Sequence, residues 1–240
     1  CHQNRAPQNL PQLSEILKEN GYYCCVAGHY ELKRNLNRGW HEQANFSESA
    51  PLQKAYAMQI AAGRKDVGWS AGALDCGEEG GKAHLLTNRV FRMIDQIEAS
   101  GSPFFLHVPY DLPHPPYFVP TPFANAVNPE EFELPEVSGN PELKPEWHKL
   151  CRADCGSDLA TEEDIRRLIA VYYGMISYAD LQMKRVFDYL EEKGLMENTW
   201  IIISSDHGDY TGEKGLYTKN ETLYECLTHV PLIIRPPEAA

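Results

Sequence analysis

Apolar positions along this chain switch between two spacings. Within 10–20, Leu13, Ile16 and Leu17 recur at helical spacing, and Gly21 is a stop signal. The continuous apolar run 22–27 predicts a buried strand ending at Gly28. A second amphipathic helix is predicted over 85–99, with Val90, Ile94 and Ile97 along one side. Gly101 and Pro103 punctuate it, and 104–108 follows as a short strand. The strongest helical pattern covers 162–193, where Leu168, Val171, Tyr172, Met175 and Tyr178 repeat. Thr161 is its expected N-cap, ahead of the acidic first turn Glu162, Glu163 and Asp164, and Gly194 closes it. Residues 199–204, Thr-Trp-Ile-Ile-Ile-Ser, are expected to form a central parallel strand covered on both faces. A last apolar segment, 230–234, runs into Pro236 and Pro237.

Strands alternating with helices predict an α/β fold, a three-layer sandwich around a mostly parallel sheet, with 1–240 as a single domain. Two stretches, 39–81 and 123–159, lack a clear period and are expected to be surface excursions ordered by short helices.

Composition narrows the function. The net charge of -12 over 240 residues excludes broad nucleic-acid binding, which needs Lys and Arg against phosphates, but leaves room for a local cationic pocket. No apolar run reaches the roughly 18–20 residues of a membrane span. The chain begins at Cys1 rather than methionine and shows no basic region followed by an apolar stretch, so its natural start is expected upstream. Of the seven cysteines, Cys24 and Cys25 fall in the apolar run and resemble buried thiols. Cys151 and Cys155 have a spacing that allows a disulfide or metal ligation, but no second pair completes a zinc site. An odd count of cysteines leans toward a reducing, cytoplasmic compartment.

Ionisable residues gather where the predicted strands end. The first strand runs out into His29, Tyr30 and Glu31, the second into Asp111, Pro113 and His114, and the third into Asp206, His207, Gly208 and Asp209. Ligands in open α/β sheets bind beyond the carboxyl ends of strands, so these clusters are expected to converge. Asp206 and His207 offer an oxygen and an imidazole nitrogen to a divalent cation. Lys219, His114 and His29 offer donors to an anion and a proton to a leaving group. The same groups also suit rigid turns, an Asx turn and a solvated lysine.

The ordered segment from Thr199 to Arg235, with Ser-Asp-His-Gly, Gly-Glu-Lys-Gly, Lys219 and Val-Pro-Leu-Ile, resembles the sulfatase family. Phe104 to Pro120 is similar to the family's Pro-Phe-Phe-Leu strand and Pro-His-x-Pro turn. Residues 10–32 and 172–198 match other segments in the same order. The resemblance implies an alkaline-phosphatase-like fold, incomplete at the N-terminus and lacking the C-terminal subdomain. It also implies Asp206 and His207 as metal ligands, with calcium expected and magnesium or manganese as alternatives. Lys219 and His114 are implied to contact the sulfate of a small-molecule or saccharide ester. A formylglycine nucleophile is expected upstream.

The family's Gly-Lys-x-His is replaced here by Gly28-His29-Tyr30-Glu31, which moves the expected donor to His29 and puts an acceptor at Glu31 among the substrate-binding residues. Cys1-His2-Gln3-Asn4-Arg5 lacks the Pro-Ser of the family's nucleophile segment. The alternatives are a phosphodiesterase or phosphonate monoester hydrolase of the same superfamily, or a non-catalytic relative that binds an anion.

Overall fold

The structure, a computed structural model, describes residues 10–28, 38–45, 50–63, 67–137, 143–219 and 222–238. In chain order the elements are α1 (Leu13–Glu19), β1 (Tyr23–Ala27), β2 (Glu42–Ala44), α2 (Ala50–Ala62), β3 (Ala71–Leu74), α3 (Lys82–Ser100), β4 (Phe104–His107) and β5 (Tyr117–Pro120). They continue with α4 (Thr121–Ala124), α5 (Glu146–Asp154), α6 (Glu162–Glu192), β6 (Ile201–Ser204), β7 (Tyr210–Thr211), β8 (Tyr217–Thr218), α7 (Glu225–Thr228) and β9 (Leu232–Arg235). Among them no helix is long and apolar enough to cross a membrane. The chain divides into two compact units.

One unit comprises Cys1–Tyr56, Lys82–Asp111 and Gln182–Met196. Its sheet runs β2-β1-β4, with β1 parallel to both neighbours and Tyr23 opposite Phe104. Cys24, Cys25 and Ala27 are fully buried, so β1 is closed on both faces, as its unbroken apolar run requires. Burial pushes the Cys25 thiol up to about 12, which makes it a packing residue and not a nucleophile. Cys24 and Val26 pack with Trp40, Leu17 and Phe105. The other two apolar residues expected on the inner face of α1, Leu13 and Ile16, are exposed. Ser14 takes the buried place and donates its hydroxyl to the Arg38 carbonyl.

Helix α3 begins earlier than its apolar pattern predicts because Lys82 opens it from a buried position. Leu86, Val90, Ile94 and Ile97 form its core stripe, and Phe91 lies 4.5 Å from the ring of Tyr189 on the last turns of α6. Lys82 makes an ion pair with Asp111, the two side chains being 5% and 20% exposed. Burial draws the Lys82 ammonium down to about 7, and the carboxylate in contact opposes that loss of charge. Asp111 was grouped by position with the ligand-binding strand ends; the structure uses it as the counter-ion of a buried lysine.

The second unit comprises Ala57–Gly81, Leu112–Leu181 and Glu197–Ala240. Here β3 and β5 pair in parallel, and the antiparallel pairs β6–β9 and β7–β8 complete the strands. Thr161 caps α6 as expected, its hydroxyl accepting from the Asp164 N–H while Asp164 accepts in return. Leu168, Val171, Met175 and Tyr178 of α6 are buried, and the Tyr178 hydroxyl donates to the Glu78 carbonyl at 2.7 Å.

Three expectations change. The strand at 199–204 is not a parallel strand closed on both faces: β6 pairs antiparallel with β9, and Ile202 is 65% exposed, because β9 is its only partner among the described residues. The stretch 39–81 holds more than short helices, namely β2, α2 and β3, whereas 123–159 holds short helices such as α5, as expected. Cys151 and Cys155 are not joined in a disulfide, and Cys155 Sγ lies 3.2 Å from the Ser157 hydroxyl.

Two substitutions test this packing by chemical denaturation. Ile94→Ala removes a fully buried side chain and is expected to cost about 2–5 kcal/mol. Asp111→Ala leaves Lys82 buried without its counter-ion and is expected to cost about 3–5 kcal/mol, whereas Lys82→Met combined with Asp111→Leu recovers most of that loss.

Candidate active site

The C-terminal end of β6 leads into Ser205, Asp206, His207, Gly208 and Asp209, and the backbone there is pinned at several points. Ser205 Oγ donates to the His207 carbonyl at 2.7 Å, and the His207 N–H donates to Asp206 Oδ1 at 3.1 Å. The Gly208 N–H donates to the Leu227 carbonyl at 2.9 Å. A Cβ at Gly208 would stand 2.0 Å from the Cys226 carbonyl oxygen, so only glycine fits.

These contacts fix the His207 ring. Its Nδ1 lies 2.7 Å from the Gly208 carbonyl, an acceptor without a proton, so Nδ1 carries a hydrogen and Nε2 is the ring nitrogen left to face the site. That Nε2 is 3.7 Å from Asp206 Oδ2. A carboxylate oxygen and an imidazole nitrogen with its other nitrogen tied to a carbonyl form the ordinary donor pair for a divalent cation. The pair fits a metal as part of a shell: no cluster of three or more metal-binding side chains occurs among the described residues.

His114 stands on the loop between β4 and β5, within Pro113, Pro115 and Pro116. Its Nδ1 lies 2.6 Å from the Pro115 carbonyl, again placing the proton on Nδ1, and its Nε2 is 3.1 Å from Lys219 Nζ. Lysine is only a donor, so Nε2 accepts and the ring is neutral. The rings of His114 and His207 are 6.3 Å apart, edge to face. Asp206, His207, His114 and Lys219, from separate stretches of the sequence, are thus linked in one cluster. His29 and Glu31 lie outside the described residues.

Lys219 follows β8, and the residue before it, Thr218, has φ 62°. A β-branched residue in the left-handed region is a real outlier and costs on the order of 1–3 kcal/mol. Beneath the cluster, burial pushes the Asp209 carboxyl up to about 7; Lys219 opposes the shift and Asp206 adds to it. Asp209 Oδ1 is shielded from solvent and has no hydrogen-bond partner among the described residues. Burial, with the Asp209 charge adding to it, pushes the phenols of Tyr117 and Tyr172 upward. Asp209 was legible as a strand-end carboxylate. Thr218 carried no signal, since a threonine in sequence says nothing of a positive φ.

The cluster therefore combines a metal-capable pair, an ammonium and a neutral imidazole acceptor. This set can bind a tetrahedral oxyanion and move a proton beside it. Gly208→Ala forces backbone against backbone and is expected to lower stability by at least about 1 kcal/mol, read as a fall in the denaturation midpoint.

Comparisons with known proteins bear on the family. The chain is 27% identical over 248 residues to the uncharacterized sulfatase YidJ of Escherichia coli, covering 98% of this chain and 49% of that protein. It is 32% identical over 162 residues to a choline-sulfatase of Rhizobium meliloti, covering 66% of this chain and 31% of the relative. The chain thus spans half or less of the length of these curated relatives. In fold it is similar to the phosphonate monoester hydrolase of Agrobacterium radiobacter, with a TM-score of 0.79 at 20% identity over 98% of this chain and 54% of the other. That likeness bears out the alkaline-phosphatase-like α/β architecture. The sulfatase family model matches residues 2–240, and the chain belongs to the sulfatase family.

Proposed function

We propose that the whole protein hydrolyses sulfuric esters, and that Asp206, His207, His114 and Lys219 are the part of its active site present here. The observation that carries this is the 3.1 Å contact between Lys219 Nζ and His114 Nε2, beside the Asp206–His207 pair. Family membership supports the choice of sulfate as the anion.

Asp206 Oδ2 and His207 Nε2 would hold a divalent cation, calcium in the expected case and magnesium or manganese as alternatives. When bound, the cation supplies positive charge that draws electron density from a sulfate oxygen. The nucleophile implied by the family resemblance, a formylglycine, is not among the described residues. What this chain's own groups do is bind and protonate. Lys219 presents an ammonium to the sulfate oxygens, and its charge is worth most as negative charge builds in the transition state. Lys219 carries protons and His114 Nε2 accepts one, so together they can pass a proton to the leaving oxygen. His29 would add a further donor and Glu31 an acceptor for the rest of the ester.

Activity of the whole protein tests this, with an aryl sulfate set against a phosphonate monoester. Asp206→Ala and His207→Ala are expected to abolish sulfate-ester turnover, and a chelator is expected to do the same reversibly. Lys219→Met is expected to lower kcat/KM by about 10²–10³. Undiminished turnover in Asp206→Ala, or turnover of the phosphonate alone, would contradict the proposal.

A further inference from the structure

Thr218 occupies a backbone conformation that its β-branched side chain resists, at the position immediately before Lys219. The hairpin does not demand it, because the β7–β8 pairing ends with Thr218 opposite Tyr210. The other non-glycine residue at positive φ among the described residues, Lys214, lies in the turn between Gly212 and Gly215.

The surroundings of Thr218 hold the strain in place. Its Cγ2 packs against Gly68, where a Cβ would be 3.1 Å away. The Gly68 N–H donates to the Cys155 carbonyl at 2.9 Å, and Trp69 Nε1 donates to the Gly156 carbonyl at 3.0 Å. The surface under the threonine methyl is therefore braced by the segment after α5. A left-handed residue reverses the local course of the chain, so relaxing Thr218 to an ordinary φ would swing the Lys219 Cα–Cβ bond away from His114. Strain kept by over-determined packing beside a binding group is a recognised means of pre-organisation.

We propose that Thr218 is a positioning residue whose left-handed backbone, locked by its methyl on Gly68, holds the Lys219 ammonium against His114 Nε2. The proposal rests on the reading of Lys219 as a sulfate-binding group, and two separate readouts keep the two claims apart.

The experiment compares Thr218→Gly and Thr218→Asn with the unaltered chain. Glycine accepts the left-handed region without needing it, and asparagine tolerates it better than other side chains. The first readout is the Nε2 shift of His114, the nitrogen that meets Lys219, in ¹⁵N-histidine protein, which requires no activity. The second is the movement of the His114 signals as inorganic sulfate is added.

Thr218→Gly is expected to keep or raise the melting temperature, by up to about 4 °C. The same variant is expected to keep the Nδ1 proton, which the Pro115 carbonyl holds, but to shift the His114 Nε2 resonance as the Lys219 contact loosens, and to need about tenfold more sulfate for the same response, while Thr218→Asn behaves nearly as the parent. A merely structural threonine would show the opposite coupling, with His114 unchanged wherever stability is unchanged. A Thr218→Gly protein that keeps both the Nε2 shift and the sulfate response overturns the proposal. If the parent gives no sulfate response, the functional reading fails, and the Nε2 comparison alone decides whether Thr218 positions Lys219.

Discussion

His114 and His207 each give the Nδ1 proton to the carbonyl of the next residue, Pro115 at 2.6 Å and Gly208 at 2.7 Å. These two short, local hydrogen bonds decide what the cluster can do. They turn both Nε2 atoms toward the site: one meets Lys219 and the other lies beside Asp206 Oδ2. With the opposite tautomer, His207 would turn a proton toward the cation position, and His114 would confront an ammonium with a second donor.

The rest of the second unit serves to hold those carbonyls and their partners still. Gly208 is wedged against the Cys226 carbonyl and bonded to Leu227, which sets the direction of its own carbonyl. The Pro115 carbonyl belongs to a proline-rich loop with little conformational freedom to lose. On the Lys219 side, the Arg152 guanidinium donates to the Gly215 carbonyl and bonds Asp158, so α5 braces the turn that leads into β8. Helix α5 falls in a stretch with no readable period, yet it supports the loop that carries a proposed sulfate ligand.

Much of this was legible in the sequence, for physical reasons. The run at 22–27 became a central parallel strand because an unbroken apolar run needs cover on both faces, and 104–107 pairs beside it. Asp206, His207 and His114 could be picked out as polar groups beyond apolar runs, and the resemblance to the sulfatase family's motifs singled them out together with Lys219. Other features depend on contacts distant in sequence and left no local trace. The Lys82–Asp111 ion pair joins residues 29 apart, and a lysine opening a helix ordinarily reads as solvated. The antiparallel β6–β9 pairing was missed because an all-apolar strand has the same pattern in either direction. Ser14, Leu13 and Ile16 exchanged their expected roles because the Arg38 carbonyl supplies the one partner that makes a buried serine acceptable.

The central claim is that His207 Nε2 and Asp206 Oδ2 are a donor pair for a divalent cation, with the ring held by the Gly208 carbonyl. It is tested most directly by titrating calcium into the ¹⁵N-histidine protein at neutral pH while following the ring nitrogens. The account predicts that His207 starts as the Nδ1-protonated form and that its Nε2 signal moves on saturation. Asp206→Ala should abolish that movement. A His207 ring protonated on Nε2 before calcium is added, or an Nε2 signal indifferent to calcium, magnesium and manganese alike, would contradict it.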